Sequence, residues 1–410
     1  MEKALIAVIG GGASGLMAAY AAAKEIQREK KNATVMILEA NDRVGKKLLA
    51  TGNGKCNLSN ENISQENYYH WNTAFWETVY SEFPRQDTVK EFEKMGLITK
   101  SDDWGRIYPM PEQASAVVDS LRAACRRYRV EEKTGSRVTK IIQQGDRYRC
   151  FYGDTSVLAD AVIYAAGGKA GQNFGTDGSS FELLKGLGIK ISPMMPSLVP
   201  LKSSFPFRRE LKGVRVKAKA TLLERGARLA RERGEVQFTD YGLSGIVIMN
   251  LSRYRTANCQ ICLDFAPDYS KSFVQEYLEQ KVNAYPDSPA LDALNGMVPK
   301  KLGQVIMKLS VEEAGKQAED LSAGELERAA GYVKCLPFPI TESLPFENAQ
   351  VTCGGVFVFQ LDGKTMEVKG RKNFYIAGEA VDIDGTCGGY NLQWAWSSGY
   401  LAGKTAGKRI

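Results

Sequence analysis

The chain has 410 residues, of which 44% are hydrophobic and 25% charged, with a net charge of +7. The length predicts two or three domains, or one large domain with an insertion, and the composition is that of a globular protein. The single histidine, His70, excludes a multi-histidine metal site, and any Ser-His-Asp triad would have to use it. We therefore predict no metal site.

The first predicted elements form a strand–turn–helix–strand unit. Leu5–Ile9 is a short apolar run typical of a buried parallel strand, Ala13–Arg28 has the composition of a helix, and Thr34–Leu38 is a second strand that ends at Glu39. The uncharged stretch Ala4–Ala23 is similar to a signal peptide or membrane helix, but its central glycines favour the βαβ interpretation. We expect a cytoplasmic protein without a membrane span.

The turn between the first strand and the helix matches the pattern GxGxxG through Gly10, Gly12 and Gly15. The first glycine allows a tight turn, the second lets a pyrophosphate approach the backbone, and the third lets the helix pack on the strand. Glu39 can accept hydrogen bonds from ribose hydroxyls and would repel a 2′-phosphate. These four residues predict a dinucleotide site.

Further elements follow in chain order. They are a glycine-rich loop at Lys46–Asn57, a helix at Val117–Tyr128, and strands at Ser136–Ile142, Tyr148–Tyr152 and Ala161–Ala166. Prolines 193, 196 and 200 mark the exit from the first domain. The middle region contains a strand at Val214–Leu222 and helices at Phe273–Val282, Glu312–Lys316 and Ala323–Ala330. A strand at Asn373–Ala377 and a final helix follow, and they have the same apolar strand and glycine-loop pattern as the first domain.

This order predicts an α/β protein in which a Rossmann-like domain, residues 1–192 and 345–410, is interrupted by residues 193–344 as an inserted substrate domain. The predicted dinucleotide is FAD, because three further segments of the chain can reach the same ligand. Gly378-Glu379 ends a buried strand and supplies an acid for a ribitol chain, and Gly388–Leu392 begins a helix whose N–H groups can support negative charge. The strand end Tyr164–Gly168 is a third piece that passes near the cofactor.

The eight cysteines are dispersed and do not indicate a disulfide scaffold. Cys259 and Cys262 form a CxxC pair, but their surroundings are typical of a strand, and there is no second CxxC to complete a zinc site.

With these motifs in place, the chain resembles the BaiN / aminoacetone-oxidase family of two-domain flavoproteins almost end to end. The long matches are Gly10–Gly15, Gly45–Leu48 with Thr51–Asn57, and Gly378–Gln393. Shorter ones are Gly105–Pro109, Thr176–Gly178, Pro200-Leu201, Phe238-Thr239 and Gly242–Gly245. The resemblance implies an FAD domain interrupted by a β-barrel plus helical domain. Asp240 and Lys55 stand where many relatives have histidine and arginine, so a mechanism that needs this histidine does not carry over.

The resemblance and the motifs together define a predicted cofactor-binding set. Its members are Gly10, Gly12, Ala13, Ser14, Gly15, Glu39, Ala40, Lys46, Lys47, Thr51, Gly52, Asn53, Gly54, Val138, Ala166, Gly167, Gly378, Glu379, Gly389, Asn391 and Leu392.

Two activities are implied by the resemblance. One is an NAD(P)H-dependent reduction of 3-oxo-Δ4 or Δ4,6 bile-acid intermediates, with NAD(P)H as a transient reductant and a steroid or its CoA thioester as substrate. The other is oxidation of a small amine such as aminoacetone, with hydrogen peroxide as a product. An enone reductase needs a proton donor, and Tyr390 and Tyr241, each beside a glycine loop, are the candidates.

Two further classes remain open. The basic stretches Arg122–Arg129 and Arg225–Arg233 allow an RNA-modifying or RNA-binding flavoprotein, although solvated protein faces explain them better and nucleic acid is not the favoured partner. A flavin-binding protein without catalysis is the other, and the large insertion argues against it because it can form a substrate cleft.

Overall fold

The computed structural model describes residues 3–69, 72–313 and 315–410. It divides into two compact units, Met1–Met195 with Gln350–Ile410, and Pro196–Ala349. No helix within the described ranges is both long enough and apolar enough to cross a membrane.

A five-stranded parallel sheet forms the centre of the first unit. Its strands, in spatial order, are Phe374–Ile376, Ala161–Tyr164, Ala4–Ile9, Ala33–Leu38 and Glu131–Lys133. The middle strands are almost completely buried, which explains their uninterrupted apolar sequences. The predicted Rossmann-like βαβ unit is confirmed, and the last strand before the C-terminus completes a sheet that the N-terminus began.

The two long helices of this unit, Ala13–Arg28 and Tyr390–Arg409, pack closely against each other. Gly399, Gly403 and Gly407 lie four residues apart on the last helix, and each faces a backbone oxygen of the first. A β-carbon at Gly403 would lie 2.1 Å from the Ala18 oxygen. The glycine row therefore sets the short distance between the helices, because any side chain there would force them apart.

Smaller elements surround this core. The helices are Lys46–Ala50, Thr73–Glu82, Arg85–Lys94, Ala114–Arg127 and Phe181–Gly186. An antiparallel meander contains Val138–Gln144, Arg147–Tyr152 and Thr155–Ala159. The remaining short strands are Ser59–Asn60, Tyr68–Tyr69, Thr99–Ser101, Arg106–Pro109, Met195–Ser197, Val351–Cys353 and Asp384-Gly385.

The second unit is a closed six-stranded antiparallel barrel with helices. The strands in order around the barrel are Leu201–Ser203, Gly242–Ser244, Ala227–Phe238, Arg215–Glu224, Cys259–Asp264 and Leu336–Ser343. The helices are Ile246–Ser252, Lys271–Ala284, Lys300–Ser310 and Ala323–Lys334. The predicted fold class, a Rossmann-like domain with a barrel-plus-helices insertion, is confirmed.

Two local features differ from the sequence-based expectations. The predicted helix at Glu312–Lys316 is wrong for its described residues, because the Glu325 carboxylate accepts hydrogen bonds from the Glu312 backbone N–H at 3.0 Å and from Lys316 Nζ at 2.9 Å. Cys262 lies in the predicted strand and forms a disulfide with Cys335, a pairing that the spacing of the CxxC motif did not indicate.

Candidate functional site

The parallel sheet brings the predicted cofactor motifs to one edge. Ile9 is in register with Leu38 on one side and with Tyr164 on the other, and Tyr164 is in register with Ile376. The residues that follow these four strand ends are the glycine turn, Glu39, the Ala165–Gly168 segment and Gly378-Glu379. Ligands of open α/β sheets bind at this carboxyl edge.

The glycine turn has little space on the side of the protein core. Gly10 has a φ of +97°, and a β-carbon there would lie 2.6 Å from the Ala165 oxygen. A β-carbon at Gly15 would lie 1.9 Å from the Gly10 oxygen. Gly12 is different, since a β-carbon there would have no neighbour within 4 Å. The open side of the turn is next to the start of the helix at Ala13. The first N–H groups of this helix have no hydrogen-bond partner within the helix and can bind an anion.

Glu39 is buried beside this turn and is held by hydrogen bonds. Its Oε2 accepts from the Gly11 N–H at 2.7 Å, and its Oε1 accepts from the Asn41 backbone N–H at 2.8 Å and from Asn41 Nδ2 at 2.7 Å. Because Oε2 retains a second acceptor position, it can still receive a ribose hydroxyl. Asn41 was not predicted, although an Asn three residues after the strand end is a common turn signal.

Glu379 and Lys47, both predicted from the sequence, lie together. Lys47 Nζ is 2.5 Å from Glu379 Oε2 and 3.0 Å from the Ala170 oxygen, while Glu379 Oε1 accepts from the Thr352 N–H at 2.9 Å. Thr352 Oγ1 also accepts from the N–H groups of Lys169 and Ala170, at 2.7 and 2.9 Å. Thr352 therefore connects two parts of the edge, and no sequence motif marked it.

The loop after Ala50 contains two consecutive left-handed residues, Gly52 with a φ of 57° and Asn53 with a φ of 54°. It leads to Asn57, whose Oδ1 is buried and has no hydrogen-bond partner in the described structure. A β-carbon at Gly389 would lie 2.8 Å from this oxygen. A buried acceptor without a partner, beside a predicted cofactor loop, is the kind of atom to which a bound group can donate a hydrogen bond.

Burial raises the pKa of the neighbouring Cys56 thiol to about 12, so this thiol is neutral at pH 7.

The last helix begins at Tyr390 after the left-handed Gly389. The Asn391 side chain accepts from the Gly385 N–H at 2.8 Å and donates to the Gly385 oxygen at 2.8 Å, which ties the glycine loop to the helix start. The Asn391 side chain is occupied by these two hydrogen bonds. The backbone N–H groups of Asn391 and Leu392 are therefore the groups of this turn that can donate hydrogen bonds to a cofactor.

The other predicted contacts lie around the same edge or on neighbouring elements. Ala40, Ala166 and Gly167 follow strand ends, and Ser14 is in the first turn of the first helix. Lys46 pairs with Asp42 Oδ1 at 2.7 Å and does not join the Lys47–Glu379 pair. Val138 is a buried residue at the start of the meander. The remaining members of the set, Thr51 and Gly54, bound the short loop of left-handed residues.

These residues fit FAD. A pyrophosphate can use the open space at Gly12 and the N–H groups at the helix starts. The carboxylates of Glu39 and Glu379, which neighbouring N–H groups hold in place, can bind a ribose and a ribitol. The unpartnered Asn57 oxygen can bind a polar edge of the ring.

The two candidate proton donors lie in different units. Tyr390 is buried, and its ring packs edge-on against Tyr68. The Tyr68 hydroxyl donates a hydrogen bond to the backbone carbonyl oxygen of Tyr390 at 2.8 Å. Tyr241 lines a pocket of about 470 Å³ in the second unit with Arg209, Lys212 and Asp240. His70 lies outside the described residues.

The model of the HI0933-like protein Rossmann domain family matches residues 4–405. The chain belongs to this family. A 3-dehydro-bile acid delta(4,6)-reductase of Clostridium scindens is 38% identical over 411 residues, covering 98% of this chain and 99% of the relative. A ribosomal RNA dihydrouridine synthase of Escherichia coli is 25% identical, covering 98% and 97%. The 3-ketosteroid delta1-dehydrogenase from Sterolibacterium denitrificans aligns with a TM-score of 0.52 at 11% identity over 99% of both chains, which supports the fold.

The family match confirms the resemblance to the BaiN-type flavoproteins that the motifs indicated. The protein is an FAD-dependent oxidoreductase of this family.

Proposed function

We propose that the protein reduces a carbon–carbon double bond that is conjugated with a carbonyl group. The similarity to the Clostridium scindens reductase over the whole chain carries this proposal. A 3-oxo group next to a Δ4 or Δ4,6 system makes the far carbon electrophilic. The leading substrate class is therefore a 3-oxo-Δ4 steroid or bile-acid intermediate, free or as its CoA thioester.

FAD would take a hydride from NADH or NADPH and supply it to the electrophilic carbon. The chain would hold the cofactor through the turn at Gly10–Gly15 for the pyrophosphate, Glu39 for the ribose, and Glu379 with Lys47 for the ribitol. Only one GxGxxG follows a predicted strand, so the nicotinamide binds transiently rather than at a second Rossmann turn. We propose a cytoplasmic location, where reduced nicotinamides are supplied.

Tyr241 is the proposed proton donor. Its hydroxyl-bearing side chain lines the pocket beside Arg209, whereas Lys212 in the same pocket is paired with Asp240 Oδ2 at 2.7 Å. The Arg209 guanidinium can donate hydrogen bonds to a carboxylate of a bile acid or a phosphate of CoA. Tyr390 is the weaker candidate, because its ring is committed to packing beside Tyr68.

Uridine in RNA is a second candidate substrate. The C5=C6 bond of uracil is conjugated with the C4 carbonyl, so its reduction to dihydrouridine is the same type of reaction. The Escherichia coli relative covers nearly the whole chain, and the second unit carries an arginine-rich hairpin at Arg215–Phe238. These two observations support uridine although the sequence alone did not favour a nucleic-acid partner.

Product analysis under anaerobic conditions tests the leading proposal. The purified protein is incubated with NADH or NADPH and a 3-oxo-Δ4 steroid, and with the same steroid lacking the double bond as a control. We expect a product that has gained two hydrogen atoms at the double bond from the first steroid and no reaction with the second.

Stopped-flow mixing with NADH and NADPH tests the reductant separately. Loss of the flavin absorbance with either nucleotide supports the proposal. A flavin that stays oxidised with both, together with no reduced steroid, contradicts it.

A further inference from the structure

The arginine-rich hairpin of the second unit has a net charge of +4, from seven basic and three acidic residues, whereas the whole chain has +7. Its strands are Arg215–Glu224 and Ala227–Phe238. Arg225 and Gly226, both with positive φ, form the two-residue turn between them. Such turns hold two strands in a regular twisted ribbon.

Strand alternation places most of these charges on the outward face of the hairpin. Arg231 pairs in register with Thr221 and Arg233 with Lys219, and all four are exposed or half-exposed. The register shifts at Leu222/Leu223, so that Arg228 is opposite Leu223. This bulge keeps Arg228 on the same face as Arg231, because Leu223 and Thr221 are two residues apart.

The acidic side chains of the hairpin are divided between its inward and outward faces. Glu232 is opposite the buried Ala220, and burial raises its pKa, opposed by a hydrogen bond from Asn250. The outward acid Glu235 is 3.6 Å from Arg215. Glu224, the third acid, alternates with the outward Leu223 and is therefore on the inward side. Among the three acids of the hairpin, Glu235 is the one on the outward face, near the base.

The arginines near the tip have free guanidinium groups. Arg233 pairs with Asp268 at 2.6 Å and Lys219 with Asp264 at 3.2 Å, whereas Arg225, Arg228 and Arg231 have no ion-pair partner in the part of the chain that the structure describes. All three are exposed. Leu229 is the one exposed large apolar side chain among the described residues of the hairpin, at 37%. A membrane surface would favour a broader apolar face.

We propose that the outward face of this hairpin is a docking surface for the sugar–phosphate backbone of RNA. This inference rests on the second candidate function, uridine in RNA. A ribbon of ten paired residues is about 30 Å long and can follow several consecutive phosphates. Arginine suits this role, because its planar fork binds two phosphate oxygens and stays charged.

The test compares two triple variants. Arg225→Gln/Arg228→Gln/Arg231→Gln removes the tip charges, and Arg126→Gln/Arg127→Gln/Arg129→Gln removes the same charge from exposed residues of the first unit. The probe is a fluorescein-labelled ribosomal RNA transcript titrated at several salt concentrations. Phosphatidylglycerol vesicles are the second probe.

We expect the tip variant to bind the transcript at least about 10-fold more weakly, with a salt slope reduced by about 2. The control variant should stay within about 2-fold of the wild type. FAD content and steroid reduction should be unchanged in both. Equal weakening in the two variants, or vesicle binding without RNA binding, overturns the docking surface.

Dihydrouridine formation separates this inference from the function on which it rests. If the tip variant reduces uridine in the transcript at the wild-type rate, the docking surface is wrong and uridine remains a substrate. If the wild type binds RNA through the hairpin without forming dihydrouridine, the uridine candidate is wrong and the surface stands.

Discussion

The two units of the chain position their important groups in different ways. In the first unit, glycines lie against backbone oxygens and the carboxylates are held by neighbouring N–H groups. In the second unit, side chains of the hairpin and of the Arg209–Tyr241 pocket extend from a closed barrel. The difference suggests that cofactor binding depends on backbone geometry, which tolerates few changes. Substrate choice would then depend on side chains that can change without loss of the fold.

The largest expected effect is that of a methyl group at Gly15. Gly15→Ala places a β-carbon 1.9 Å from the Gly10 oxygen, so the turn must move. We expect a loss of more than about 3 kcal/mol in the free energy of unfolding, or no folded protein. Denaturant unfolding and FAD content of the purified protein measure it.

Gly12→Ala is the matched control, because a β-carbon there contacts nothing within 4 Å and Gly12 has a negative φ. We expect a folded protein that binds FAD at least about 10-fold more weakly, since the methyl group occupies the space for the pyrophosphate. Wild-type FAD affinity in this variant would place the pyrophosphate elsewhere.

The second prediction concerns the proton donor. Tyr241→Phe should lower kcat for steroid reduction about 100-fold with little change in FAD content, because it removes a proton donor without changing the packing. Tyr390→Phe should reduce kcat less than about 10-fold. Steady-state kinetics with both variants checks this. The reverse order of effects assigns the donor to the first unit.

The third prediction concerns acid stability of the second unit. Burial acts to raise the pKa of Glu325, but hydrogen bonds from Ser322 and Lys316 hold this pKa at about 2. The unfolded value is about 4.3, so the carboxylate stabilises the fold above pH 4.3 and this contribution disappears as the pH falls to 2. Glu325→Gln should lower the free energy of unfolding at pH 7 by roughly 2–3 kcal/mol and flatten its decrease between pH 5 and 2.5.

Glu327→Gln is the control for this measurement. Glu327 is on the same helix, with 61% of its side chain exposed and an ion pair to Lys271. The change should leave the free energy of unfolding almost unchanged, because solvent screens an exposed ion pair. Equal losses in the two variants would mean that the buried hydrogen bonds of Glu325 add nothing beyond a surface ion pair.

The smallest expected effect has the opposite sign. Gly331 lies within the helix Ala323–Lys334, and a β-carbon there would meet only Lys271 Cε at 4.0 Å. Gly331→Ala should therefore stabilise the second unit by about 0.5–1 kcal/mol. Thermal unfolding measures the shift. Destabilisation by Gly331→Ala would show that this helix position has no room for a methyl group, as is the case at Gly403 of the first unit.

Much of the first unit could be predicted because its signals are local. The helix Ala13–Arg28 has the predicted bounds, since glycines precede it and charges accumulate at its end. Glu39 and Glu379 were identified because each lies just after an apolar strand, Glu39 directly after Leu38 and Glu379 three residues after Ile376. Thr352 and Asn57 were missed because their role depends on contacts between distant segments. The Thr352–Ala170 hydrogen bond, for example, joins residues 182 positions apart.

The second unit was less predictable. The helix Lys300–Ser310 was not predicted, and the described residues of Glu312–Lys316 are not helical because a buried carboxylate takes the N–H of Glu312. The Cys262–Cys335 contact also joins residues that are distant in sequence. Closure of a barrel depends on pairing between separate strands, which a local pattern does not specify.

A comparison of electron acceptors tests the proposed reductase activity most directly. The FAD-loaded protein is reduced with dithionite without oxygen and mixed separately with a 3-oxo-Δ4 steroid, its CoA thioester, a ribosomal RNA transcript, and oxygen. We expect a substrate with a conjugated double bond, either steroid or uridine in RNA, to reoxidise the flavin faster than oxygen does. Fast reoxidation by oxygen alone, with peroxide formed from aminoacetone, would contradict it and indicate an amine oxidase.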